Sequence, residues 1–170
     1  MKELALINQG KVKSVYDIID DPQRVHITFH DKVTAWNGKH VEYPEDKGKI
    51  CCLISSLLFE MLEKNGIKTH YINCPSLNTM ECKKLTIIPL EVIVRNIAAG
   101  SIVKNTSITE GQLINPPIVE FFLKDDSKND PLLTIDRVRL MGIDPTPLQM
   151  NALDINYQLQ SLFTLCGIDL

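Results

Sequence analysis

Ile50, Leu53, Ile54, Leu57, Leu58, Met61 and Leu62 recur at intervals of three and four residues. That repeat lines one face of an α-helix with apolar side chains over more than three turns. The spacing therefore predicts a helix that packs through this stripe onto a second layer. Gly66 follows Glu63-Lys64-Asn65 and suits the left-handed residue beyond a helix end. A second helix is predicted late in the chain. Thr146 is placed as its cap, Pro147 in its first turn and Gln149 as the return partner of a capping box. It runs to about Cys166 and stops at Gly167.

The other segments read as strands. Lys11 to Ile19 alternates, Asp20-Asp21-Pro22 reads as a turn, and Val25, Ile27 and Phe29 share one face opposite His26 and Thr28. This predicts an antiparallel hairpin. Further strands are expected at Lys68 to Asn73, Thr79 to Leu85, Leu90 to Asn96 and Val119 to Lys124, with Pro75 and Pro89 as punctuation. Neighbouring strands lack crossover helices. The fold class expected is α+β: an antiparallel N-terminal sheet with a packed helix, joined to a second α+β lobe, with lobes at 1–88 and 89–170.

Composition narrows the functional classes. With 170 residues, 44% apolar and 23% charged, the chain can bury a core and is not of disordered type. A net charge of −3 disfavours broad nucleic-acid binding but leaves room for a local basic site. The N-terminal stretch has no signal-peptide pattern, and no apolar run approaches the roughly 20 residues of a membrane span. Five cysteines, two of them adjacent and none in a C-x-x-C pair, read as reduced thiols in a cytoplasmic protein. The four histidines lack metal-ligand spacing.

Three stretches carry candidate chemistry. In "NQGKVKSVYDI", Lys11, Lys13 and Val15 fall on one side of the expected strand, and Gly10 removes a side chain where a ligand would approach the backbone. Two readings stand: a phosphate clamp of glycine, amides and two ammonium groups, or solvated lysines on an edge strand. No G-x-x-x-x-G-K-[ST] loop is present. In "PLEVIVRNIAAGS", Glu91, Ile93 and Arg95 share a face. Arg95 with the small "AAGS" suits an anion site, and a structural Glu91–Arg95 pair is the alternative. In "FFLKDDSKNDP", a strand delivers Lys124, Asp125 and Asp126 at its end, either to hold phosphate and magnesium or as a solvated turn.

Taken together, "GKVKSVYDI", "DKVTAWNG", "PLEVIVRNIAAGS", "NPPIVEFFLKDDSKNDP" and the late helix resemble, in this order, the phosphoribosylaminoimidazole-succinocarboxamide synthase (SAICAR synthetase) family, over about Leu6 to Leu170. "VRNIAAGS" followed by "KDDSKNDP" is the most specific part. The resemblance implies a ligase of purine biosynthesis that consumes ATP, joins CAIR (a carboxylated aminoimidazole ribotide) to L-aspartate, and passes through an acyl phosphate. It implies an ATP cleft between two lobes and Mg2+ as a cofactor, with metal ligands unassigned. Gly10, Lys11, Val12, Lys13 and Val15 are expected on the ATP phosphates, and Lys83 to Leu85 on adenine. Glu91 is expected near the nucleotide and metal, Lys124 at the reacting groups, and Arg95 and Ser101 on the substrate phosphate or carboxylate. No nucleic-acid or membrane partner is implied, and a homo-oligomer is left open.

Two departures from the family pattern matter. Thr34 stands where the family often has Ser, and Asn37 where it often has Asp; the second removes a charge. The family pattern also continues past the position of Leu170 with a strand and an acidic, magnesium-binding segment. On that reading the chain is C-terminally truncated, keeps the nucleotide-binding shape and has little activity alone. A kinase-like phosphotransferase and a non-catalytic nucleotide-binding remnant are the competing readings.

Overall fold

The computed structural model describes residues 3–35, 40–168 and 170, without the side chains of Ala35 and Asp126. The expectation about Asn37 lies outside the described residues. The chain divides into two compact units, Met1–Thr86 and Ile87–Leu170. Both are mixtures of helix and antiparallel sheet, so the α+β class holds.

The first unit contains β1 (Leu4–Gln9), β2 (Lys13–Ile18), β3 (Asp21–Phe29), β4 (Val33–Ala35), β5 (His40–Glu42), α1 (Lys47–Lys64), β6 (Tyr71–Ser76) and β7 (Thr79–Lys83). Five strands form one sheet in the order β1-β2-β3-β7-β6, and β4 pairs with β5. The expected hairpin is present, with Val15 opposite Ile27 and Lys13 opposite Phe29. Val25 and Ile27 in turn face Cys82 and Met80 of β7. Cross-strand partners share a sheet face, so Val25, Phe29, Met80 and Cys82 meet Cys52 of α1 and Tyr71 in one core.

Several boundaries differ from expectation. Lys11 lies in a bend, and β2 begins only at Lys13. Asp21 and Pro22 belong to β3, which leaves Ile19-Asp20 as the turn. β6 starts at Tyr71 and takes in Pro75. The larger correction concerns α1. Only the C-terminal part of its apolar stripe is packed: Leu62 is buried and Leu58 and Met61 are half-buried, whereas Ile50, Leu53, Ile54 and Leu57 are each 50–58% exposed and Gly48, Cys52 and Ser56 are buried in their place. The first turn of the helix lies too close to the end of β3 for any side chain. At Gly48 an added Cβ would meet the Phe29 carbonyl oxygen at 2.7 Å. The buried Ser56 hydroxyl satisfies itself within the helix by donating to the Cys52 carbonyl at 2.9 Å.

The second unit contains β8 (Leu90–Ile97), α2 (Ser101–Asn105), β9 (Leu113–Leu123), a 3-10 turn (Asp126–Lys128), β10 (Leu132–Leu133), α3 (Ile135–Leu140) and α4 (Pro145–Leu165). Its sheet runs β10-β9-β8, antiparallel throughout. Buried Phe121, Ala98, Ile102 and Val138 are core residues of this unit. The late helix starts earlier than expected. Asp144 is its cap, accepting the Thr146 amide at 2.9 Å, and Pro145 takes the first turn. A charged carboxylate at Asp144 accepts an N-terminal amide of the helix and favours its positive end, so the helix is capped two residues before the expected Thr146.

Helix α4 is tied to β8 by a reciprocal amide pair. The Asn96 side-chain amide donates to Asn156 at 2.8 Å, and Asn156 donates back at 3.0 Å, both side chains being buried. Replacing Asn156 by Leu takes the donor from the buried Asn96 Oδ1, while Asn96 Nδ2 keeps the Leu170 carbonyl at 3.1 Å, and is expected to cost about 1–3 kcal/mol. Urea unfolding measures this directly; an unchanged midpoint would mean that the pair adds nothing. Among the described residues, no helix is long and apolar enough to cross a membrane.

Candidate functional site

In the first unit the turn between β1 and β2 borders a cleft of about 490 Å³ lined by Gly10, Lys11, His30, Asp31, Lys32 and Lys49, among others. The turn is fixed by backbone bonds: the Gly10 amide donates to the Lys13 carbonyl at 2.8 Å, and the His30 amide to the Val12 carbonyl at 2.9 Å. The buried Ser14 hydroxyl and His30 Nε2 add a 2.8 Å contact. Gly10 has no strained backbone, and a Cβ there would sit 3.5 Å from the Lys13 oxygen, an ordinary distance. The fold does not itself require glycine at this position. Asp31 accepts the Gly48 amide at 2.8 Å, anchoring the start of α1 beside the cleft.

The two lysines part company. Lys11 lines the cleft. Lys13 lies across from Phe29, with its ammonium 5.6 Å from the ring centroid, and does not line the cleft. Burial, followed by the charges of Lys13 and Lys83, holds the His70 imidazole below its usual pKa. Val12 is half-buried in the turn, and Val15 packs against the core. Lys83 ends β7, its ammonium donating to the Thr69 carbonyl at 3.2 Å, and Leu85 is exposed just beyond.

In the second unit Arg95 is held on three sides. Its Nε meets Glu120 at 2.5 Å, its Nη1 donates to the Ala99 carbonyl at 3.1 Å, and its Nη2 donates to the Ser101 hydroxyl at 2.8 Å. The Arg95 and Glu120 side chains are only 13% and 17% exposed. The expected alternative partner, Glu91, is not used. Four residues apart on a strand, the two Cα atoms lie about 13 Å from each other, and Glu91 is exposed. Glu120 went unnoticed in the sequence because its link to Arg95 depends on the β8–β9 register, which sets Ile93 opposite Glu120. Gly100, at φ 66°, turns the chain so that Ser101 opens α2 beside the guanidinium. Two of the five guanidinium N–H groups remain for an anion.

Lys124 is exposed immediately after β9. The acidic turn that follows closes on itself. Asp125 accepts from Ser127 at 2.5 Å and from Lys128 at 2.7 Å, while Asp130 accepts the Asp125 amide at 2.7 Å. The Lys128 and Ser127 bonds hold the Asp125 carboxyl below its ordinary pKa. Among the described residues no group of three or more His, Cys, Asp or Glu is arranged to hold a metal ion.

Comparison with known proteins then decides the family. The sequence profile described as SAICAR synthetase matches residues 6–170. The chain belongs to the SAICAR synthetase family. A phosphoribosylaminoimidazole-succinocarboxamide synthase from Synechocystis sp. is 46% identical over 166 residues, covering 95% of this chain and 62% of the relative. One from Methanobrevibacter smithii is 43% identical over 172 residues, covering 99% and 70%. The chain thus spans 62–70% of the length of these two curated SAICAR synthetases. Among solved structures, a type-2 SAICAR synthetase in complex with ADP superposes with a TM-score of 0.90 at 33% identity, covering 99% of this chain and 71% of the other. The enzyme from Ehrlichia chaffeensis gives 0.91 at 34% identity, covering 97% and 71%.

Proposed function

We propose that the chain carries the nucleotide- and substrate-binding part of an ATP-dependent carbon–nitrogen ligase that joins CAIR and L-aspartate into SAICAR. The observation that carries this reading is the family match across residues 6–170. A carboxylate resists an amine because its charge repels the nucleophile and oxide is a poor leaving group. Transfer of the ATP γ-phosphoryl to the CAIR carboxylate makes an acyl phosphate. The aspartate amine then attacks its carbonyl carbon and phosphate departs. Phosphoryl transfer depends on positioning and charge neutralisation.

On this reading the Gly10–Lys13 turn, with Lys11 in the cleft, holds phosphates. Lys83 to Leu85 lies along adenine, and Arg95 with Ser101 takes the phosphate or carboxylate of CAIR. Lys124 contacts the reacting groups, and Glu91 lies near the nucleotide. Mg2+ supplies charge neutralisation when bound, and the protein works in the cytoplasm. The ADP carried by a relative of closely similar fold supports the nucleotide assignment.

The test is SAICAR formation with ATP, CAIR and aspartate. ADP release that needs both CAIR and aspartate supports the ligase; release without aspartate would support a phosphotransferase instead. Gly10→Ala separates binding from folding, because the turn has room for the methyl group. It is expected to leave the unfolding midpoint within about 0.5 kcal/mol while weakening ATP or ADP binding about tenfold, since the backbone no longer approaches phosphate closely. Unchanged nucleotide affinity in calorimetry would remove the turn from the phosphate site.

A further inference from the structure

Two cysteines outside the proposed site stand in reactive geometry. Cys52 of α1 and Cys74 of β6 have their sulfurs 3.3 Å apart, although both are free thiols. Cys52 is completely buried, behind Cys74. Cys74 lines an open groove of about 660 Å³ bordered by Leu53, Ser56, Tyr71 and Leu77. It lies beside a register shift in the β6–β7 pairing, and its sulfur contacts the Thr79 carbonyl at 3.1 Å. The 3.3 Å contact is one in which either thiol can donate to the other. An oxidant entering from solvent meets Cys74 first and finds Cys52 already in contact with it.

From this geometry we infer that Cys52 and Cys74 form an oxidant-responsive dithiol site, closed to a disulfide by a peroxide-class two-electron oxidant. In the first step the Cys74 sulfur takes one oxygen from hydrogen peroxide, giving a sulfenic acid and water. In the second, the Cys52 sulfur attacks the Cys74 sulfur, and the hydroxyl leaves as water with the Cys52 proton. Two thiols lose two electrons, and the peroxide gains them. Burial and the neighbouring Cys74 push the Cys52 thiol up to about 12, so Cys52 is a poor direct target for oxidants. Its part in the second step comes from proximity, the sulfurs having only to close from 3.3 Å to about 2.05 Å. The disulfide would staple α1 to β6 in the unit that carries the Gly10 turn, and a thiol reductant would release it.

The experiment exposes the full chain to near-stoichiometric hydrogen peroxide, blocks remaining thiols, digests without reductant and maps linked peptides by mass spectrometry. The expected result is a Cys52–Cys74 linked pair, lighter by about 2 Da than the two thiols, at least about tenfold more abundant than any other pair and lost on treatment with dithiothreitol. Cys74→Ser, at a half-buried position, is expected to abolish the link and to leave Cys52 unmodified until the chain is unfolded. Cys52→Ala is expected to accumulate sulfenic acid at Cys74, trapped by dimedone. Oxidation of Cys74 to sulfinic acid while Cys52 keeps its thiol would overturn the proposal. So would a predominant link through Cys51 or Cys82, or modification confined to exposed Cys166.

Discussion

Gly48→Ala is expected to destabilise the first unit by about 1–3 kcal/mol, a fall in Tm of roughly 5–20 °C for a domain of this size. The sign is opposite to the usual one. Within a helix, exchanging glycine for alanine normally gains about 1 kcal/mol of helix propensity. Here the new Cβ would lie 2.7 Å from the Phe29 carbonyl oxygen, 3.0 Å from the Phe29 carbonyl carbon and 3.1 Å from an Asp31 carboxylate oxygen. The first two are backbone atoms of a core strand and its exit, so they cannot swing aside as a flexible side chain would. Relief requires α1 to move away from β3, which would stretch the 2.8 Å bond from the Gly48 amide to Asp31. Gly66→Ala is the comparison. That residue sits at φ 87° with nothing within 4 Å, so its cost is backbone strain alone, about 1 kcal/mol. Thermal or urea unfolding that ranks Gly48→Ala as stable as the parent would show that the helix does not need this close approach.

The same contact explains what the sequence could and could not disclose. The seven-residue apolar stripe of α1 correctly marks a helix, because period is a local property. It misplaces the packed face over the first turns, where Ile50, Leu53, Ile54 and Leu57 are exposed, because the choice of face depends on how closely the sheet approaches; only towards the helix end does the stripe pack, with Leu62 buried. The close approach at Gly48 excludes a side chain there, and small Cys52 and Ser56 are buried in the next two turns. Alternation likewise located the β2–β3 hairpin, since Val25 and Phe29 do face the core. It placed Lys11 and Lys13 together only by assuming that the strand reaches Lys11. The Gly10 turn interrupts it, leaving Lys11 at the cleft and Lys13 opposite Phe29. Arg95 with Ser101 was legible because the two are close in sequence and joined by a glycine turn. Glu120 was not, since 25 residues separate it from Arg95 and only strand register unites them. Likewise, nothing near Asn96 in the sequence announces Asn156, 60 residues away.

In the intact enzyme, Arg95→Ala, assayed for SAICAR formation, is expected to lower kcat/KM for CAIR about a hundred- to a thousand-fold, with KM for ATP changed far less. The guanidinium is pre-set by Glu120, the Ala99 carbonyl and the Ser101 hydroxyl, so little ordering remains to be done when an anion arrives. A purely structural arginine would fail in a different way. Removing it leaves the Glu120 carboxylate largely buried without its countercharge, which is strongly destabilising in its own right. The paired replacement of Arg95 and Glu120 by Leu and Gln removes that stranded charge. If Arg95 serves only the fold, the double variant should recover both stability and turnover. If it holds the substrate anion, stability should return while the loss in kcat/KM for CAIR persists. Arg95→Lys sharpens the distinction further: a single ammonium keeps the charge but cannot span Glu120, the backbone and Ser101 while also presenting a two-pronged face to an anion. It should therefore retain the fold and still bind CAIR at least about tenfold more weakly. Turnover equal to the parent in the Lys variant would mean that charge alone suffices and that the three-sided cradle has no part in recognition.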